Sequence, residues 1–72
     1  MTPNRLKTLR ETLGLTQTDV AILLGLSAVN GRRTVRRWED GLIPITGPAA
    51  IVLQLMETGE LPRRFFDAVP ES

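Results

Sequence analysis

The chain has 72 residues, enough for one small domain with a thin core, because folding at this size buries only about 60% of the unfolded surface. Its 42% hydrophobic and 24% charged residues exclude a disordered chain, and the absence of Cys and His excludes disulfides, thiolate zinc sites and histidine acid–base catalysis. With a net charge of +1 and no long apolar run, we expect a soluble cytoplasmic protein with no enzyme activity, cofactor, metal or membrane partner.

The first part of the chain carries two helix patterns, each followed by a glycine. Pro3 stands near the start of the first, whose leucines repeat at helical spacing until Gly14. Thr16 is a capping residue for the second, with Asp19 three positions later, and Gly25 ends that helix. The apolar members predict its buried side, namely Val20, Ala21, Leu23 and Leu24.

A strongly basic helix is predicted from residue 31 to residue 40, with Asn30 as a possible cap and Gly41 as its end. At 100° per residue it divides into two faces, one of which holds the only Trp, Trp38. The other face spans about 140° and holds four of the nine basic residues, namely Arg32, Arg33, Arg36 and Arg37. A solvated face normally mixes charges of both signs, so this one predicts a polyanionic ligand.

The last part of the chain predicts a linker and two further helices. Pro44 indicates an extended linker, and Thr46 with the following Gly-Pro starts a helix that ends near Gly59. Pro62 can start a short last helix. The whole pattern predicts an all-α fold, a compact bundle of four to five short helices in one domain spanning residues 1–72.

The fourth helix is apolar over about 200° of its circumference, which is wider than the stripe that a surface helix buries. One explanation is a two-fold homodimer formed by residues 47–68, and the other is a C-terminal segment that folds back over the same chain. The homodimer is favoured, and the two explanations can coexist. The predicted interface residues are Ile51, Val52, Leu55, Phe65 and Phe66.

Two short helices joined by a turn, the second of them basic, form a helix-turn-helix arrangement. The chain resembles the Cro and phage-repressor type of helix-turn-helix regulator in two stretches, L-R-E-T-L-G-L-T-Q-T-D-V-A-I-L-L-G-L-S and R-T-V-R-R-W-E-D-G. The family pattern is R-x-x-x-G-L-T-Q-x-x-L-A-x-x-L-G-[VL]-S-x-x-T-[VI]-x-x-W-E-x-G, and the match covers about residues 6 to 59. The resemblance implies a lambda-repressor-like domain with motif helices at about 16–25 and 31–40.

The chain departs from this pattern between Ser27 and Thr34, which are separated by six residues instead of two. The turn before the recognition helix is therefore expected to be four residues longer, and to hold Ala28 to Gly31. Either Ser27 or Asn30 then caps the recognition helix, and Asn30 is the favoured cap.

The resemblance also implies a function and a set of site residues. It implies a sequence-specific transcriptional regulator that binds a palindromic operator in double-stranded DNA as a homodimer. A repressor, including one that acts on its own promoter, is favoured over an activator. The residues that it implies contact base edges are Arg32, Arg33 and Arg37. Phosphate contacts are assigned by the resemblance to Thr16, Gln17 and Arg36. Asn30 is added as a phosphate contact from its place in the lengthened turn, where residues 29–31 either reach the sugar–phosphate backbone or loop out. Structural roles fall to Trp38 and Thr34, and to an ion pair between Arg10 and Glu39 that ties the first helix to the recognition helix.

Several functions remain open within and beyond this family. The size suits a phage or mobile-element regulator of the bacterial cytoplasm or nucleoid, including the small repressors associated with anti-CRISPR operons. It also suits an antitoxin, which would bind both DNA and a toxin protein with the same fold. Structured RNA is disfavoured because the chain lacks Tyr and its Trp is assigned to the core. A protein-interaction module leaves the arginines unexplained, and no residues form a catalytic constellation.

Overall fold

The computed structural model describes residues 1–45 and 47–69, and these form four α-helices followed by one short 3-10 helix. The helices are α1 (Pro3–Thr12), α2 (Gln17–Leu23), α3 (Ala28–Glu39), α4 (Gly47–Thr58) and the 3-10 helix (Arg63–Ala68). The predicted all-α fold of four to five short helices is confirmed. Within the described residues, no helix has the length and apolar content needed to span a bilayer.

The start of α2 is stabilised by the predicted reciprocal cap. The Thr16 hydroxyl accepts a hydrogen bond from the Asp19 backbone N–H at 3.0 Å, and the Asp19 carboxylate accepts one from the Thr16 N–H at 2.9 Å. Two of the N–H groups that a helix start leaves without intrahelical partners are thereby satisfied. The left-handed Gly25, with φ 75°, then turns the chain toward α3.

The start of α3 differs from the prediction. Ser27 is its cap, because the Ser27 hydroxyl accepts a hydrogen bond from the Asn30 N–H at 3.2 Å, so the assignment of the cap to Asn30 is wrong. Residues 28–31 are not a longer turn but an additional helical turn, and α3 has 12 residues. Serine caps a helix as well as asparagine does, and no residue after Ser27 breaks the helix.

Close packing against α2 explains how the additional turn fits. Gly31 is buried, and a Cβ atom built on it would lie 2.6 Å from the Leu26 Cβ and 2.7 Å from the Ala21 Cβ. Only a residue without a side chain allows the α3 backbone to lie this close to these two side chains. The glycine that suggested a turn is therefore a packing residue inside a helix.

The core lies between α1, α2, α3 and α4. It consists of ten buried residues, Leu6, Leu9, Val20, Ala21, Leu23, Val35, Trp38, Ile45, Leu53 and Met56. Trp38 is 8% exposed and Val35 is fully buried, so the non-basic face of α3 lies in the core as expected. Leu13, the last leucine of the stripe predicted for α1, follows the last residue of the helix and is 41% exposed, whereas Leu6 and Leu9 are buried.

The C-terminal segment folds back on the same chain. Phe65 and Phe66 are half-buried, contact each other edge to face at 5.2 Å between ring centroids, and pack against the core, with the 3-10 helix beside α2. Ile51 on α4 stays 60% exposed. The fold-back explanation therefore accounts for both phenylalanines and leaves part of α4 uncovered. The expected cap at Thr46 lies outside the described residues.

Replacing Gly31 with Ala is expected to lower the free energy of unfolding by about 1–3 kcal/mol, because the added methyl group overlaps two Cβ atoms. At an exposed helix position the same change would raise it by about 1 kcal/mol, since Ala is the better helix former. Urea denaturation shows whether the substitution lowers or raises the free energy of unfolding.

Asn30→Ala is the matched control, since Asn30 is exposed in the same helical turn. It should leave the free energy of unfolding unchanged or raise it by up to about 0.7 kcal/mol. A Gly31→Ala protein as stable as the wild type would contradict the close approach of α3 to α2.

Candidate functional site

The four arginines of α3 are all exposed. Arg32, Arg33 and Arg36 border one open concavity together with Val29, whereas Arg37 does not line it. The three arginines follow Val29 by three, four and seven residues, which is the spacing of one helix face. No carboxylate lines the concavity, so all the charged side chains that line it are positive.

The side of α3 that carries its four exposed arginines is called the basic face. One acidic residue lies at the edge of this face. Asp40 follows the end of α3, and its carboxylate is 3.7 Å from the Arg36 Nε. The two side chains are 54% and 71% exposed, and an exposed pair of this kind contributes at most about 1 kcal/mol. Arg36 can therefore exchange Asp40 for an external anion at little cost.

A second open groove joins the basic face to the start of α2. It is bordered by residues 14–18 together with Arg10 and Arg32. Arg32 is common to both surfaces, so the groove and the concavity form one continuous face of the molecule. Thr16 and Gln17, two of the predicted phosphate contacts, lie on this face. Asn30 is exposed in the first turn of α3 but lines neither surface.

Arg10 and Glu39 form a two-pronged ion pair between α1 and α3. The Arg10 Nε and Nη2 donate to the two Glu39 carboxylate oxygens at 2.8 and 3.1 Å, and the Arg10 Nη1 donates to the Leu15 carbonyl at 3.1 Å. The side chains are only 18% and 5% exposed. The hydrogen bond to Glu39 raises the pKa of Arg10 above its ordinary value, although burial acts in the opposite direction.

Gln17 belongs to the same network. Its side-chain amide donates to the Glu39 Oε1 at 3.3 Å, and the residue is half-buried. The side chain that was expected to reach DNA phosphate is thus held against the protein. The sequence did not predict this contact, because Gln17 and Glu39 lie 22 residues apart.

Thr34 and Val29 are two further residues of α3, and only Val29 lines the concavity. The Thr34 hydroxyl donates to the Asn30 carbonyl of the same helix at 3.1 Å, and the structural role expected for this residue stays a prediction. Val29 is 75% exposed among the arginines and was not a predicted site residue. A predicted helix that began directly after Ser27 would have placed Val29 on the basic face. Because residues 28–31 were predicted to be a turn, Val29 was not assigned to that face.

Comparisons of the chain with protein-family models, with curated proteins and with solved structures found no match. The resemblance to Cro and phage repressors therefore depends on the quoted motif residues alone.

Replacing Glu39 with Gln is expected to lower the free energy of unfolding by about 2–3 kcal/mol, because Arg10 is then left largely buried without a counter-charge. Asp40→Asn is the matched control at the next residue, and breaking its exposed pair with Arg36 should cost about 0–1 kcal/mol. Urea denaturation of both proteins gives the comparison. Equal decreases in the free energy of unfolding would show that the buried pair stabilises the protein no more than the exposed pair does.

Proposed function

We propose that the chain is a helix-turn-helix repressor that binds a palindromic operator in double-stranded DNA through α3. One observation carries the proposal, namely that Arg32, Arg33 and Arg36 surround an exposed concavity with no carboxylate in it. The net charge of the chain is only +1, so this concentration of positive charge reflects its placement and not the overall composition. Phosphate-rich DNA is the polyanion that an exposed basic helix fits best.

The shape of α3 suits the major groove. An α-helix with its side chains is about 10–12 Å wide, and the major groove of B-DNA is about 12 Å wide. The opposite face of α3 is held by the fully buried Val35 and by Trp38, which leaves the basic face as the outermost surface. A helix anchored in this way presents its arginines without reorganising the domain.

The arginines divide into two roles in this proposal. Arg32, Arg33 and Arg37 read base edges, since a guanidinium donates two parallel hydrogen bonds to guanine O6 and N7. Arg36, together with Thr16, Gln17 and Asn30, binds phosphate. Gln17 reaches phosphate only after it gives up its hydrogen bond to Glu39.

Structured RNA is a weaker ligand for this surface. Recognition of RNA loops depends on aromatic side chains that stack on unpaired bases. In the part of the chain that the structure describes, Trp38 is buried, and Phe65 and Phe66 pack against the core. The basic face itself has no aromatic residue, which favours contacts to the edges and backbone of a duplex.

A homodimer is part of the proposal, because a palindromic operator has two half-sites about 34 Å apart that two copies of α3 would occupy. Ile51 supports an interface on α4, since it remains 60% exposed on the most apolar helix. Val52 and Leu55 are half-buried beside it. Repression then follows from occupation of a promoter.

Selection from a pool of random duplexes, followed by sequencing, should yield a two-fold site. Arg33→Ala should lower the preference for that site over random duplex by about 1–3 kcal/mol, because one bidentate base contact is lost. Arg64→Ala removes the same charge from the exposed 3-10 helix and is the matched control, with preference unchanged. Failure of the wild type to enrich any sequence would refute specific DNA binding.

Ile51→Glu is expected to shift the protein toward monomer, because the charge would be buried in the proposed interface. Sedimentation of the free proteins at micromolar concentration measures the shift. Leu42→Glu, at an apolar position that is 70% exposed outside α4, is the matched control and should leave the dimer intact. A wild-type protein that is monomeric both free and on its operator would exclude the dimer.

A further inference from the structure

We infer that Val29 is a specificity-determining residue that contacts the C5-methyl group of a thymine in the operator, and this rests on the proposed DNA-binding function. Val29 lies in the additional turn of α3, outside the positions that match the family pattern. Its role is therefore not carried over from any motif residue. Its exposure, its neighbours and its side-chain chemistry support this role.

Exposure by itself says little, because single exposed apolar residues are common on protein surfaces. The position of Val29 makes it informative. The side chain is 75% exposed, and it lies on the same concavity as Arg32, Arg33 and Arg36. An isolated apolar side chain among three guanidinium groups has no protein core to join. It is instead positioned where the ligand of those arginines must approach.

The chemistry of the duplex gives this side chain a specific ligand. In the major groove, thymine alone among the four standard bases presents a methyl group, and small apolar side chains contact it. The residues near the start of a recognition helix are those that approach the base edges. Val29 is the second residue of α3, which begins at Ala28.

The side chain is also suited to a fixed contact. Valine is branched at Cβ and strongly prefers one rotamer in a helix, so its methyl groups project in a defined direction. Valine is a poorer helix former than Ala, Lys or Arg, so helix propensity does not explain its presence at an exposed helical position. A contact with an apolar group of the ligand does explain it.

A chemical double-mutant cycle tests this contact. In one half-site of the selected operator, each thymine is replaced in turn by uracil, which lacks only the C5-methyl group. For wild-type protein, one replacement should weaken binding about fourfold, the effect expected when one methyl group leaves an apolar contact. Val29→Ala removes the contact from both half-sites of the homodimer, so binding to the unmodified operator should be weakened about sixteenfold, and the same uracil should have no further effect.

The variant is suitable because Val29 packs against no core residue, and Ala maintains the helix. A melting temperature of Val29→Ala that is no lower than that of the wild type verifies this. Selection of an operator in which no thymine methyl is coupled to Val29 would overturn the inference and leave DNA binding established. If the wild type selects no sequence at all, the proposed function fails and the inference fails with it.

Discussion

The close approach of α3 to α2 at Gly31 is the constraint on which the rest of the structure depends. With a Cβ at this position, the Leu26 and Ala21 side chains would have to move, since they would lie 2.6 and 2.7 Å away. Separation of the helices would uncover Val35, which is fully buried one helical turn farther along α3. The orientation of the arginine face follows from this contact, because the buried and basic residues belong to one rigid helix.

The Arg10–Glu39–Gln17 network fixes the other end of α3. Gly31 holds its first turn against α2, and Glu39 holds its last residue to Arg10 of α1 and to Gln17 of α2. Burying this ion pair costs desolvation energy, which offsets much of the attraction between the two charges. The pair therefore contributes to the positioning of α3 against α1 as much as to net stability. Two anchors at opposite ends leave little freedom for the basic face to tilt. In the proposed complex, a phosphate that recruits Gln17 would act on the same carboxylate that positions α3.

Local signals predicted most of the helices, and tertiary packing decided the remainder. The Thr16–Asp19 cap needs only neighbouring residues, so the start of α2 was predictable. The start of α3 was not predictable in this way. Asn30 and Gly31 are residues that commonly form turns, and only contacts with the rest of the protein decide whether they do so here. The close approach of α2 turns Gly31 into an interior helical residue, and Ser27 takes the cap. The Arg10–Glu39 pair was expected through the family resemblance alone, whereas the bond from Gln17 to Glu39 follows no sequence pattern.

The charge of α3 connects the fold with the proposed DNA ligand. Arg32 with Arg36, and Arg33 with Arg37, are like-charged neighbours that each destabilise an isolated helix by a few tenths of a kcal/mol. Only the exposed Asp40 offsets this repulsion within the described residues, and it does so weakly. The helix tolerates the repulsion because its cap and its buried face stabilise it by more. In the proposed complex, a duplex that neutralises the arginines would remove this repulsion and add its own contacts. Binding would therefore raise the stability of the folded helix.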